Sequence, residues 1–183
     1  MQLCPGTSQL LIVDVQERLL PAMHEGERML KSCDVLLRAA NRLRLPVTIS
    51  EQYPKGLGPT VKRLSTVKGD AAVMEKKHFS CASDPHIAEH ISSHAEAGRT
   101  QVVVGGIESH VCVLQSALGF KKAGLDVFVV LDAVTSRHPE SIDLARGRFD
   151  LNQVAVINTE MAVFEWLQVS GTSEFKDLTG LIK

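Results

Sequence analysis

Six short runs of leucine and β-branched residues, at 10–13, 47–49, 71–74, 102–104, 127–131 and 154–157, recur along this chain between turn residues. Each is almost continuously apolar where a strand with one wet face would alternate, and that is the pattern of a parallel sheet covered on both sides. Helical periodicity fills the intervals. Met29, Cys33, Leu36, Leu37, Ala40 and Leu43 recur at three- and four-residue steps over 27–44, and Leu45-Pro46 closes that helix. Ser83-Asp84-Pro85 opens a second helix, with Ile87, Ile91 and Ala95 on one stripe and Gly98 as its stop. Further helices are predicted over 109–123, 139–149 and 159–169. The alternation predicts a three-layer α/β/α domain, doubly wound around a parallel sheet of about six strands. The longest stretch without an element, 52–69, is rich in glycine and proline and is a candidate active-site loop.

A chain of 183 residues reads as one domain, 1–183, able to bury its own core without a disulfide or metal staple. Its 20 basic and 21 acidic residues leave a net charge of −1, with no basic run longer than a pair such as Lys76-Lys77, which argues against nucleic acid as a partner. No apolar run nears the ~20 residues that cross a bilayer, and residues 1–8 lack a basic segment followed by an apolar one. The expectation is a cytoplasmic protein that engages no membrane. Cys4, Cys33, Cys81 and Cys112 lie far apart with no Cys-x-x-Cys pair, against a zinc knuckle or a dithiol redox motif.

In open parallel sheets the ligand crevice lies beyond the carboxyl ends of the strands, so polar residues directly after apolar runs are the ones to weigh for chemistry. Asp14 interrupts the first run, where a charge needs a partner or a function; it either caps or pairs locally, or serves catalysis. Lys76 and Lys77 end the third strand, and a lysine pair alone reads equally as a solvated turn. Residues 102–113 read as a strand, a glycine turn at Gly105-Gly106 and a helix with Cys112 in its first turn. There the unpaired amides and the helix dipole favour a thiolate and an oxyanion pocket. A small buried core cysteine is the competing reading of Cys112, and the one taken for Cys4, Cys33 and Cys81.

Together these residues resemble the isochorismatase-like (cysteine hydrolase) superfamily over essentially the whole chain. The motifs are Asp14 with Gln16, the Lys-x-x-Phe-Ser segment from Lys76 to Ser80, and Gly106-Ile107-Glu108-Ser109-His110-Val111-Cys112-Val113. Ser50-Glu51-Gln52-Tyr53-Pro54-Lys55-Gly56-Leu57-Gly58 is similar to the second-strand loop of the isochorismatase domain-containing subgroup. The resemblance implies strand order 3-2-1-4-5-6 and a catalytic triad of Asp14, Lys76 and Cys112, the spacing to Phe79-Ser80 selecting Lys76 over Lys77. It also implies a cis peptide at Ile107-Glu108, with the N–H groups of Glu108 and Cys112 aimed at a substrate carbonyl oxygen. The implied activity is hydrolysis of a non-peptide carbon–nitrogen bond of a small molecule through an acyl-enzyme. Gln16, Tyr53, Phe79 and His110 are the candidate substrate contacts.

The pattern also departs from its relatives. Nicotinamidases carry an Asp-x-His metal motif after the second strand where this chain has Glu51-Gln52-Tyr53, so no metal and no cofactor are expected. True isochorismatases typically lack the nucleophilic cysteine. Glu108 either lines the pocket or pairs with a base such as Arg137. His86, His90 and His94 have metal-compatible helical spacing but no completing ligand, and read as a helix edge or subunit contact. His110 lines the pocket or lies on the helix surface. Asp132, Thr135, Ser136 and Arg137 suit loop bracing. A homo-oligomer, dimer or tetramer, is implied, with Val163, Phe164 and Trp166 as candidate interface positions. The alternative to an enzyme is an inactive scaffold on the same fold; a flavodoxin-like nucleotide binder is disfavoured by the missing phosphate loop.

Overall fold

The apolar runs form six parallel strands, β1 (Ser8–Val13), β2 (Val47–Gln52), β3 (Ala72–Lys76), β4 (Gln101–Ile107), β5 (Asp126–Thr135) and β6 (Ala155–Ile157), in the order β3-β2-β1-β4-β5-β6. The computed structural model describes residues 1–182. Helices α1 (Gly26–Arg42), α2 (Pro54–Leu57), α3 (Lys62–Val67), α4 (Pro85–Glu96), α5 (Leu114–Lys122), α6 (Pro139–Leu151), α7 (Thr159–Leu167) and α8 (Ser173–Thr179) complete the chain. One apolar core joins α1 and α7 to one face of the sheet through Leu10, Ile12, Leu36, Leu37, Phe128 and Trp166. The other joins α4, α5 and α6 to the opposite face through Leu11, Val13, Ile87, Ile91, Ala117 and Phe149. The three-layer α/β/α architecture follows from strands whose both faces are apolar.

Local chemistry sets the boundaries. Asp84 caps α4 by accepting from the His86 and Ile87 N–H groups at 3.2 and 3.4 Å, with Pro85 in the first turn. Gly106 has a φ of 122°, and a Cβ there would strike the Val13 backbone, so only glycine lets β4 approach β1 this closely. The π-helical turn Ser109–Val113 separates β4 from α5.

The structure corrects three expectations. Residues 52–69 hold α2 and α3 and are stitched down: Val61 N–H donates to Val15 O at 3.0 Å, and Glu51 Oε1 accepts from the Thr60 N–H and hydroxyl at 2.7 and 2.6 Å. Val163 and Trp166 are not surface residues but 0% and 1% exposed, because Thr159, Ala162, Val163, Trp166 and Leu167 form one buried stripe of α7. Trp166 also donates its indole N–H to Ser8 Oγ at 3.0 Å; only Phe164 of that trio faces solvent. Finally, β3 and β5 run past the predicted ends, carrying Lys76 and Thr135 into the sheet.

Candidate active site

Strand register brings three segments to one spot. Val13 pairs with Ser50 and with Gly106, and Gln52 pairs with Lys76, so Asp14, Ser50, Gln52 and Lys76 meet at the carboxyl end of β1, β2 and β3. Asp14 adopts a left-handed φ of 52° just past β1, and its N–H donates to Ser50 O at 3.1 Å. Its side chain is buried. Oδ2 receives Lys76 Nζ at 2.7 Å and Oδ1 receives the Ser50 hydroxyl at 2.7 Å.

Lys76 is equally enclosed, and its ammonium lies at 2.7 Å from Gln52 Oε1 and 3.2 Å from both His78 O and Phe79 O as well as against Asp14. An ammonium has three protons. Four oxygen acceptors therefore saturate it, and Lys76 acts on its surroundings through charge and placement with no proton left to donate. Burial, the largest single influence, works to lower its pKa; Asp14 foremost, with Cys81 and Cys112, outweighs it and holds the lysine above its usual range.

Cys112 opens onto this pair from the π-turn, 8% exposed. Burial pushes its thiol far up, the Asp14 charge and a hydrogen-bonding contact with Asp14 push the same way, and Lys76 opposes them. The lowered thiol pKa expected from the helix start does not hold: the low-dielectric surroundings and the adjacent carboxylate outweigh the dipole. The arrangement is a neutral thiol facing a lysine-paired carboxylate. The Ile107–Glu108 peptide is cis, and the Glu108 N–H has no hydrogen-bond partner among the described residues.

The surrounding polar residues divide by role. Gln16 is fully buried; Nε2 donates to Gln52 O and Gly58 O at 3.0 and 2.7 Å and Oε1 accepts from the Gln52 N–H at 2.7 Å. It braces the loop, and its amide has no donor left for the substrate contact expected of it. Glu108 takes the ion-pair reading: Oε2 accepts from the Arg137 backbone N–H at 3.1 Å and Nε at 3.0 Å. His110 Nδ1 lies 3.0 Å from Ser136 Oγ. Tyr53 and Phe79 are 52% and 57% exposed, beside the backbone that surrounds Lys76. Asp132 lies inside β5 and accepts from the Thr159 N–H and hydroxyl, a brace between β5 and α7. His90 and His94 meet edge to face at 4.7 Å, and among the described residues no group of three or more His, Cys, Asp and Glu could hold a metal ion.

Two residues of this cluster carry no individual role from sequence, Ser50 and Gln52, and a third, Cys81, was read only as a core cysteine, which its burial bears out. Cys81 is fully buried against the α5 side, its N–H donating to Ser116 Oγ at 2.8 Å, and its thiol is pushed up by burial and by Asp14. The readable signal for Ser50 and Gln52 was their two-residue spacing at the end of a strand, which sends both side chains to one face.

Residues 8–161 match the isochorismatase domain family model. The chain belongs to the isochorismatase family. Members of the isochorismatase family are generally hydrolases. Over its whole length the chain is 33% identical to a secreted isochorismatase effector, Isc1, of Phytophthora sojae, covering 87% of that protein. It is 34% identical over 99% of its length to isochorismatase domain-containing protein 1 of Danio rerio, spanning 62% of it. A solved structure described as MAR1 ribonuclease from Caenorhabditis elegans is similar with a TM-score of 0.92 and 29% identity, over 100% of this chain and 92% of that one. No described helix is long and apolar enough to cross a membrane.

Proposed function

We propose that this isochorismatase-family chain is a cysteine hydrolase that cleaves an amide or carbamoyl C–N bond of a small molecule, with Cys112 as nucleophile, Asp14 as proton carrier and Lys76 as its fixed counter-charge. The observation that carries the reading is the buried Asp14–Lys76 pair at 2.7 Å, set against a near-buried thiol at the carboxyl end of the sheet. A buried ion pair is a weak device for stability and a common one at reactive sites.

The chemistry follows from the protonation states. The Cys112 proton passes to Asp14 as sulfur attacks the carbonyl carbon, and the developing oxyanion meets the free N–H of Glu108. Asp14 returns that proton to the departing nitrogen, leaving a thioester on Cys112. Water then attacks the thioester, Asp14 takes its proton, and the proton goes back to sulfur as the acid product leaves. In each half-reaction Asp14 takes up one proton, from the thiol and then from water, and gives it up again, to the leaving nitrogen and then to sulfur, so the site ends each turnover with the charge it began with and Lys76 stays charged throughout. Tyr53, Phe79 and His110 are the proposed substrate contacts, and no metal takes part.

The ribonuclease description of the Caenorhabditis elegans relative suggests RNA as a second substrate class. A net charge of −1 and a Lys76 with no proton to offer a phosphate favour the small neutral substrate. A cytoplasmic homo-oligomer, dimer or tetramer, completes the proposal, with Leu144 and Leu151 exposed on α6 as apolar surface for self-association. The test is ammonia release from a panel of amides, carbamoyl compounds and ureides, with RNA cleavage as the counter-assay. Turnover of a panel member that Cys112→Ala abolishes, with the circular dichroism spectrum unchanged, supports the reading. Undiminished hydrolysis by Cys112→Ala, or cleavage of RNA alone, overturns it; a panel with no turnover at all favours the scaffold alternative.

A further inference from the structure

The carboxylate of Asp14 is held from two sides, and only one of them belongs to the triad. Lys76 takes Oδ2, while Oδ1 accepts the hydroxyl of Ser50, whose side chain is wholly buried, at 2.7 Å. The backbone repeats the grip, since the Asp14 N–H donates to Ser50 O at 3.1 Å. β1–β2 register makes this inevitable: Val13 faces Ser50, so the residue after β1 lies over the β2 residue carrying the hydroxyl. A hydroxyl donated to a carboxylate favours the ionised form and fixes which lone pairs remain free.

We propose that Ser50 is the positioning residue of this site: its hydroxyl holds Oδ1 of Asp14 and keeps the carboxylate turned toward the Cys112 thiol, and so sets how readily that thiol reacts. The role rests on the hydrolase reading above for its purpose, though not for its test. The titratable groups that face Asp14 are Lys76 from β3, Cys81 from the short turn Cys81–Ser83 and Cys112 from the π-turn; β2 contributes the neutral Ser50 and Gln52, and β4 contributes Gly106. Lys76 and the two thiols keep their protons as pH falls below neutrality. Of the groups around Asp14, Ser50 is the neutral donor acting on it directly.

The experiment compares Ser50→Thr with Ser50→Val, side chains of one shape that differ in a hydroxyl. Iodoacetamide labels the intact protein at one near-neutral pH, the rate of Cys112 labelling is read by peptide mass spectrometry, and circular dichroism confirms each fold. No substrate is needed, so a wild-type protein that releases no ammonia from any amide sinks the hydrolase reading while the labelling still decides the role of Ser50. The expected result is a Cys112 labelling rate retained in Ser50→Thr and lowered about tenfold in Ser50→Val. On any amide that is turned over, kcat/KM falls by the same factor. Equal labelling rates in wild type and Ser50→Val, or equal loss in Thr and Val, overturn the proposal. Ser50→Ala replaces Ser50→Val if the valine variant does not fold.

Discussion

Replacing Lys76 with methionine removes one charge and nearly preserves shape. Nothing in the described structure substitutes for it: Asp14 keeps only the Ser50 hydroxyl, and Gln52 Oε1, His78 O and Phe79 O all lose their donor. Breaking a buried pair by deleting one partner costs about 3–5 kcal/mol, because a desolvated charge is left behind. With a urea m-value of about 2 kcal/mol/M for a domain of this size, the unfolding midpoint drops by about 2 M. Adding Asp14→Asn to Lys76→Met removes the stranded charge and restores part of the loss, a coupling a double-mutant cycle reads directly. The pH dependence has a sign. Lys76 is raised in the folded state, so its stabilisation is full below the usual lysine range and disappears as pH rises through the folded value. The gap between wild type and Lys76→Met is therefore flat near neutrality and closes at strongly alkaline pH. A single-variant loss below about 1 kcal/mol, or no recovery in the double variant, refutes the account of a buried pair whose charges depend on each other.

Other outcomes follow from the same geometry. Gly106→Ala forces a Cβ into the Val13 backbone at a φ only glycine tolerates, so the chain is expected in the insoluble fraction; a soluble variant with a native circular dichroism spectrum contradicts this. Trp166→Phe removes the indole N–H that Ser8 Oγ accepts and leaves a gap beneath α7, lowering stability by about 1–3 kcal/mol by chemical denaturation, while Phe164→Ala on the exposed face changes it by less than about 0.5 kcal/mol. Arg137→Ala frees the Glu108 carboxylate at the end of β4, and Glu108→Gln in that background returns activity on neutral amides; no difference between the two assigns the ion pair no part in shaping the mouth.

The central strands were legible because burial on both faces leaves continuous apolar runs inside β1 and β4, whereas β2 showed only Val47 and Ile49. β3 was harder. It is the sheet edge, its residues alternate between exposed and half-buried, and its last member is a lysine that reads as surface until Asp14 is seen opposite. The two short helices α2 and α3 carry too few turns for periodicity to register, and what holds them is long-range, through Glu51, Gln16 and Val15. In α7 the stripe 159, 162, 163, 166, 167 was present in the sequence and names the buried face; Val163 and Trp166 were misplaced because apolar content was weighed above position. At the site, a charge after a strand drew attention to Asp14 and Lys76 and a thiol at a helix start to Cys112, and the family resemblance was needed to choose them over their ordinary readings. Ser50, Gln52 and Cys81 look like ordinary strand and core residues, and only register reveals what they face.

That register has an electrostatic guardian. Ser50 and Gln52 project from one side of β2 and Glu51 from the other, where Thr60 receives it. Were β2 to pair one residue out of step, Glu51 would swing under Asp14 and the hydroxyl and amide would turn away. Two anions would then crowd a lone ammonium in a buried space. Mispairing is thus rejected by repulsion as well as by poor packing, so the group that makes the pocket reactive also proofreads how the sheet is assembled.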